Sequence, residues 1–432
     1  MFEVREKPEM VERALLVRIY FDPREEEESA SLLEELGELV TTLGIGIVDS
    51  VLVRSRDQHK KHICGTGKAA EIMALAKAHE CDVIVFDNQL APHQQRTWER
   101  ESNTCVIDRE EVILDIFAKR AQTKEARLQV ELARMQYALP RMARMWGHLD
   151  REGGSGGGQG GGAARGMGEK QIEVDRRMAH VRIDRARREL EEVRKQRATQ
   201  RKERERAETP HAAIVGYTNA GKSTLLNRLS GSDVLSKDML FATLDTTTRK
   251  IELPDGQPLL ITDTVGFVRN LPHRLVEAFK ATLEEAVLAD FLIHTLDATS
   301  PEIERFHQTT LDVLKELGAE DKRVITVLNK IDLVTDPDVL HMLDRVFPDA
   351  IKISAVTGEG MEALLQAASE VMGDRVRRCH FRIPQHRADV VSLLHREGKI
   401  LTTEYEDNDI LVTAVVPVSI AGRFESFIAL PA

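Results

Sequence analysis

Gly216-Tyr217-Thr218-Asn219-Ala220-Gly221-Lys222-Ser223 stands between an apolar β-type run, Ala212-Ala213-Ile214-Val215, and a helical pattern, STLLNRLSG, that opens at Ser223-Thr224. The spacing GxxxxGK[ST] in a strand–loop–helix setting describes a phosphate cradle. Glycine lets the loop wrap so that backbone N–H groups face a phosphate, Lys222 reaches the terminal phosphates, and the Ser223 hydroxyl is a ligand for Mg2+. The loop therefore predicts an α/β domain with a P-loop, and the rest of the chain is read around it.

That α/β region spans 209–373, with strand candidates KIELP, LLITDT, FLIHTLD, RVITVLN and AIKIS separated by helical stretches. Asp263-Thr264-Val265-Gly266 ends the strand LLITD, forty-one residues after Lys222. A carboxylate there can hold Mg2+ through water, and the glycine lets an amide turn towards a γ-phosphate. Asn329-Lys330-Ile331-Asp332 follows the strand RVITVLN. The Asp332 carboxylate can accept the ring N–H and exocyclic amino hydrogens of guanine, which adenine does not offer, while Asn329 and Lys330 brace the loop and the base. GTP is the expected nucleotide. Ser354-Ala355-Val356 ends the next strand, where a backbone amide can meet the guanine O6. Between cradle and DTVG lies Phe241-Ala242-Thr243-Leu244-Asp245-Thr246-Thr247-Thr248-Arg249, a segment placed to offer a threonine hydroxyl to Mg2+. Its four threonines leave the choice open on residue type alone.

Outward from this region the pattern changes. Residues 1–119 alternate β-type runs (ALLVRIYF, GIVDSVLVRS, DVIVFDN, TCVID) with helical patterns, which predicts a small α/β domain with a largely parallel sheet. Residues 120–208 form a long helical hairpin: one helix is expected from about Glu110 to Trp146, interrupted near its end by Pro140, and a second from Glu169 to about Glu208. Its tip is the glycine-rich loop 153–168, which holds ten of the 27 glycines. Residues 374–432 offer FRIP, a helix RADVVSLLHRE, two further strands and SIAGRFESF, a separate small α+β domain.

Over 432 residues, 42% hydrophobic and 30% charged residues suffice for several cores, and no apolar run approaches the ~20 residues of a spanning helix. Membrane-transport roles are thereby excluded, and the N-terminus lacks a secretory pattern, so a cytoplasmic location is expected. Cys64, Cys81, Cys105 and Cys379 are widely separated and read as buried hydrophobes rather than a zinc or disulfide framework. The net charge of −11 hides an opposite local sign: from Arg176 to Arg206 there are thirteen Lys/Arg against six Asp/Glu. Charge asymmetry of this kind points to a local polyanion-binding surface; on charge alone a solvated helix face is the competing reading. Gly65-Thr66-Gly67-Lys68 has too short a spacing for a cradle and reads as a strand-to-helix turn.

Taken in order, these elements resemble the G1 to G5 motifs of the translation-factor-related GTPases. FATLDTTTR and DTVGFV look like the HflX family, related to the Obg GTPases. Independently, Arg165-Gly166-Met167-Gly168-Glu169-Lys170-Gln171-Ile172-Glu173-Val174-Asp175-Arg176-Arg177 is similar to the RGPGExQxExDRR signature of that family, with Met167 where proline is usual. The resemblance covers nearly the whole chain. It implies that Thr243 is the Mg2+ threonine. It further implies a monomeric, partly ribosome-associated GTPase that binds the large ribosomal subunit and its rRNA and splits stalled or stressed ribosomes, with GTP hydrolysis allowing release. The alternatives are a GTP-gated assembly or RNA-binding factor without splitting activity, and a GTPase assisting tRNA modification; for the latter a cysteine near the C-terminus is missing.

Phe267 follows DTVG where many GTPases carry a glutamine that orients the attacking water, a task an apolar side chain cannot perform. The catalytic set read from the sequence is therefore Lys222, Thr243, Gly266 and Asn219. Asn219 is read either as a K+ ligand beside the β/γ-phosphates or as a brace of the loop.

Overall fold

The computed structural model describes residues 11–144, 174–193, 195, 209–231, 240–241, 244–270, 285–372, 376–406 and 408–429. The glycine-rich loop 153–168, most of the signature 165–177, and Ala242 and Thr243 lie outside them. The chain divides into two compact units. The first is 1–193 with 239–244 and 269–279; the second is 194–238, 245–268 and 280–432.

In the first unit, β1 (Arg13–Tyr20), β2 (Gly46–Arg54), β3 (Val83–Phe86) and β4 (Cys105–Asp108) form an all-parallel sheet in the order β2-β1-β3-β4. Helices α1 (Glu26–Thr42), α2 (Thr66–Ala78) and α3 (Pro92–Ser102) make the connections, and α4 (Arg109–Arg120) follows β4. With helices on both faces the inner strands must be apolar throughout, as the continuous burial of VIVF in β3 shows. Leu15, Val17, Ile19, Ile84 and Phe86 pack with Ile72, Ala76 and Trp98 on one side. The helix α3 carries no apolar periodicity, since PHQQRTWERES has little apolar content; Pro92 in its first turn, the buried Trp98 and the buried Gln95, which donates to the Val106 carbonyl at 2.5 Å, hold it.

The expected single helix from Glu110 to Trp146 is two helices. α4 stops at Arg120 because Ala121 turns extended (ψ 114°), and Thr123 caps α5 (Lys124–Ala138) by accepting the Ala126 N–H at 3.1 Å. Near Pro140 the helix tightens to a 3-10 turn, Leu139–Arg144. α6, residues 174–193, buries Ile183, Ala186 and Leu190 against Leu132 of α5. Three cysteines are buried, Cys64 with its thiol pushed up to about 11 by burial; Cys105, at the start of the outer strand β4, is only half-buried.

The second unit holds a six-stranded sheet in the order β10-β9-β8-β5-β7-β6, from β5 (His211–Val215), β6 (Thr247–Glu252), β7 (Pro258–Asp263), β8 (Phe291–Asp297), β9 (Arg323–Asn329) and β10 (Ile351–Lys352). All pairs are parallel except β6·β7. α7 (Lys222–Ser230), α8 (Ile303–Glu316), α9 (Pro337–Val346) and α10 (Met361–Met372) flank it. β5 lies between β7 and β8, so the chain leaves it first to one side and later to the other, and a ligand crevice opens at the carboxyl end of the strand at such a switch point.

The same unit contains a second, antiparallel sheet, β12 (Lys399–Glu406), β13 (Asp409–Pro417), β11 (Val376–Pro384) and β14 (Ile428–Ala429), in that order. It shares its own core, including Phe381, Ile383, Val412, Val390 and Leu394, with α11 (Ala388–Glu397) and α12 (Val418–Arg423). FRIP is thus the end of a nine-residue strand.

His294, at the centre of β8, is fully buried and stacks on His307 of α8 at 5.0 Å, with neither ring nitrogen meeting a hydrogen-bond partner among the described residues. Burial, and then the His307 and Lys222 charges, lower its pKa from 6.5 to about 3. The unfolded chain therefore binds a proton that the folded chain refuses, so stability is complete above pH 6.5 and declines as pH falls towards 3. By linkage the loss at pH 5 is about 2 kcal/mol for this group. Denaturant unfolding at pH 7 and pH 5 will show the wild type losing about that much more than His294→Leu.

Candidate functional site

The phosphate loop is shaped by positions where a side chain has no room. Gly216 has φ +148°, and a Cβ there would sit 2.2 Å from the Thr295 carbonyl oxygen of β8. Gly221 has φ +88°, and its Cβ would sit 2.2 Å from Asn329 Nδ2. Asn219 adopts φ +62°, tolerable for asparagine, and is exposed at the crest of the loop. Tyr217 stacks flat on Phe306 of α8, with ring centroids 4.0 Å apart and planes 8° apart, fixing the start of the loop from outside the sheet. Ala220 is buried, and Thr218 is buried with its hydroxyl lacking a partner among the described residues.

At the far end of the loop, Lys222 begins α7 and donates to the Tyr217 carbonyl at 2.7 Å. Burial lowers its pKa from 10.5 to about 8, against the opposing pull of Asp263. Ser223 donates its hydroxyl to Asp263 Oδ2 at 2.6 Å, and Thr224 follows on the same helical turn. Ser223 and Asp263 are hard oxygen donors of the kind Mg2+ selects, and they lie side by side at the mouth of the cradle.

β7 ends at Asp263, and the next residues run beside the loop. Thr264 donates to the Ile214 carbonyl at 2.7 Å, Val265 is buried, and a Cβ on Gly266 would meet Thr218 at 2.8 Å and Lys222 Nζ at 2.9 Å. Phe267 joins the loop through its backbone: its N–H donates to Gly216 at 3.1 Å and its carbonyl accepts from Thr218 at 2.8 Å. Its ring is 2% exposed, so it is structural and turned into the core.

At the opposite end, Asn329 is 2% exposed and ties two loops together, donating to the Ala220 carbonyl at 2.9 Å and accepting from the Ala355 N–H at 3.0 Å. Lys330 is left-handed (φ +66°) and precedes the 3-10 turn Ile331–Leu333, in which Ile331 donates to the Ile353 carbonyl at 3.1 Å and Asp332 is exposed. Ser354 accepts from the Thr357 N–H at 3.0 Å, holding the turn on which Ala355 is buried and Val356 stands 73% exposed. Tyr217 to Thr224, Asp263 to Gly266, Asn329 to Asp332 and Ser354 to Val356 thus gather at the carboxyl ends of the strands of one sheet.

The segment from Phe241 is divided between the two units and described only in part. Phe241 (φ +53°) and Leu244 are buried in the first unit, where Phe241 meets Phe117 of α4 edge-on at 4.6 Å; Asp245 begins the stretch assigned to the second unit, and Thr243 lies outside the described residues. Sequence reasoning missed Phe306, on which Tyr217 stacks, and Asp297, whose Oδ2 lies 2.6 Å from Lys330 Nζ. Phe306 carries no local signal, but an aspartate closing a buried parallel strand on the side of the cradle was a usable one for Asp297.

Three family models match the chain: "GTP-binding GTPase N-terminal" over 30–118, "GTP-binding GTPase Middle Region" over 120–204, and "50S ribosome-binding GTPase" over 211–330. The chain is 62% identical over 439 aligned residues to the GTPase HflX of Akkermansia muciniphila, covering 99% of this chain and all of that one. It is 41% identical to the GTPase HflX of Escherichia coli over 374 residues, 86% of each. A GTP-binding protein from the archaeon Sulfolobus solfataricus, solved with GDP, aligns at 25% identity and a TM-score of 0.42 over 84% of this chain and 99% of that one.

The depressed Lys222 pKa sets a pH limit on phosphate binding. An anion favours the charged amine, so affinity is full below about pH 8 and falls above it as the free protein loses that proton. Between pH 8 and pH 9 the Kd for GDP will rise about fivefold, as linkage of one proton to binding requires. Titration calorimetry at pH 7, 8 and 9 measures this; a constant Kd would show that Lys222 keeps its proton through this range or does not face the phosphates.

Proposed function

The chain belongs to the HflX family of GTPases, and on that premise we propose that it acts on the large ribosomal subunit, splitting stalled or stressed ribosomes into subunits and using GTP hydrolysis to leave. The observation that carries this reading is the gathering of the phosphate loop, Asp263 to Gly266, Asn329 to Asp332 and Ser354 to Val356 at the end of one sheet, beside a buried Phe267. Lys222 and the loop amides neutralise phosphate charge, and Asp332 selects guanine by accepting its N–H groups. Ser223, Thr243 and, through water, Asp263 would hold Mg2+, which supplies charge stabilisation of the transferring phosphoryl group. Gly266 gives the γ-phosphate an amide without a side chain in the way.

The buried Phe267 leaves water unoriented, so hydrolysis is slow until a partner completes the site. The family model over 211–330 bears the words "50S ribosome-binding", and the sequence from Arg176 to Arg206, with thirteen Lys/Arg against six Asp/Glu, is suited to rRNA phosphates. A cytoplasmic monomer, with 1–119, 120–208, 209–373 and 374–432 as its domains, fits this role; no helix among the described residues is long and apolar enough to cross a membrane.

Sucrose-gradient sedimentation of intact ribosomes with GTP, a non-hydrolysable analogue, GDP or no nucleotide tests the proposal. Ribosome peaks will move to separate subunits with both GTP and the analogue, and large subunits will raise GTP turnover well above basal. Comigration with large subunits while ribosomes stay whole would favour a GTP-gated assembly or RNA-binding factor. Protein remaining at the top of every gradient would overturn the ribosomal assignment.

Asn219, exposed on the crest of the loop, presents a side-chain oxygen suited to K+ beside the β/γ-phosphates. Turnover will be several-fold higher in K+ than in Na+, and equal rates in the two salts would leave Asn219 as a brace alone.

A further inference from the structure

Asp297 closes β8 directly across the register from Asn329, the residue that closes β9. One of its carboxylate oxygens, Oδ1, is already committed: it accepts from the Thr299 N–H at 2.9 Å and the Thr299 hydroxyl at 2.6 Å. The turn is held from behind by the Ala298 N–H donating to the Asn329 carbonyl at 2.9 Å and the Ser300 N–H to the Asp297 carbonyl at 3.2 Å. The other oxygen, Oδ2, lies 2.6 Å from Lys330 Nζ, with the two side chains 19% and 25% exposed.

An ordinary ion pair between two long, free side chains does little, because each must be ordered to form it. Here the carboxylate is immobilised before the lysine arrives, so the pair fixes Lys330 rather than merely meeting it. The Lys330 backbone is fixed as well: it sits at φ +66°, ψ 29°, which a non-glycine residue adopts only when its surroundings enforce it. The Leu333 N–H donates to the Lys330 carbonyl at 3.0 Å, and Ile331 is tied to β10 through the Ile353 carbonyl. With both ends of the side chain pinned, its four-carbon stem becomes a rigid apolar strip two residues from the exposed Asp332.

We propose that Asp297, locked by Thr299, is a positioning residue for guanine recognition: it holds the Lys330 stem as a preformed floor for the flat face of the purine, while Asp332 reads the edge. The inference rests on the reading of Asn329 to Asp332 as the base-binding loop. Preorganisation of this kind acts on affinity and not on the chemical step. It acts at the base, so it is blind to the number of phosphates and to the exocyclic amino group.

The test is titration calorimetry of the full-length protein with GDP, GTP analogue and IDP, together with steady-state hydrolysis. Asp297→Asn will weaken all three ligands by the same factor, about fivefold to tenfold, and raise KM for GTP with kcat within twofold of wild type. Thr299→Ala, which only loosens the carboxylate, will give a smaller loss of the same pattern. In a Lys330→Ala background Asp297→Asn will cost nothing further. Unchanged affinity in both single variants would overturn the proposal, as would a loss confined to GTP or the same loss persisting in the Lys330→Ala background. Failure of the wild type itself to bind GDP would instead overturn the reading of the loop, and the floor with it.

Discussion

One buried amide sets the spacing of the nucleotide site. Asn329 donates to the phosphate loop at Ala220 and accepts from Ala355 on the loop after β10, so a single side chain locks three segments far apart in sequence. It is 2% exposed, and either backbone group deprived of it would be left without that partner in a place shielded from water, at a cost of about 1–3 kcal/mol. The absence of a Cβ at Gly221 follows from this bond, because the Nδ2 that serves Ala220 occupies the space a side chain would fill. The distance between the phosphate end and the base end is thereby a property of the folded sheet, present before any ligand arrives.

The same economy of space governs the other side of the cradle. Gly216 and Gly266 allow the phosphate loop, β8 and the DTVG turn to approach to distances no side chain permits, and the two backbone hydrogen bonds of Phe267 close that approach. A residue engaged by both its N–H and its carbonyl, with its ring in the core, has no freedom to present a polar group to a bound phosphate. Among the described residues the site is strong in binding groups and poor in groups that position water.

A different constraint organises the first unit. Arg109 is buried beside Asp87, with its Nη1 2.6 Å from Oδ1, and also pairs with Glu35; Arg18 pairs with Asp87, and Arg269 donates to Glu35 at 2.8 Å and to Ser31 at 2.8 Å. Burying this many charges is tolerable only because each meets an opposite one, and removing any single member strands another in a low-dielectric interior. Nearby, Asp108 accepts from the Tyr137 hydroxyl at 3.0 Å, while the Arg141 guanidinium lies 3.5 Å above the Tyr137 ring and donates to the Leu90 carbonyl at 2.8 Å. Burial raises the pKa of both Asp108 and Tyr137, so a polar cluster rather than an apolar seam docks α5 to the end of β4.

The sequence by itself determined the α/β class, the strands on either side of the cradle and the chemistry of its loops, because these are local: glycine at fixed intervals, a carboxylate at a strand end, apolar runs between helical periods. It also carried the family, since the motifs and the signature at 165–177 are contiguous strings. What only the tertiary structure decided is non-local. The break between α4 and α5 rests on a single cap at Thr123 within a uniformly helix-favouring composition. α3 is anchored by a buried tryptophan and a buried glutamine, Trp98 and Gln95. The pairing of Asp297 with Lys330, the stacking of Tyr217 on Phe306 and the burial of Arg109 among carboxylates join residues that no periodicity connects. Sequence patterns record which face of an element is buried; they do not record which charged or aromatic partner waits there, because that depends on how distant strands are brought into register.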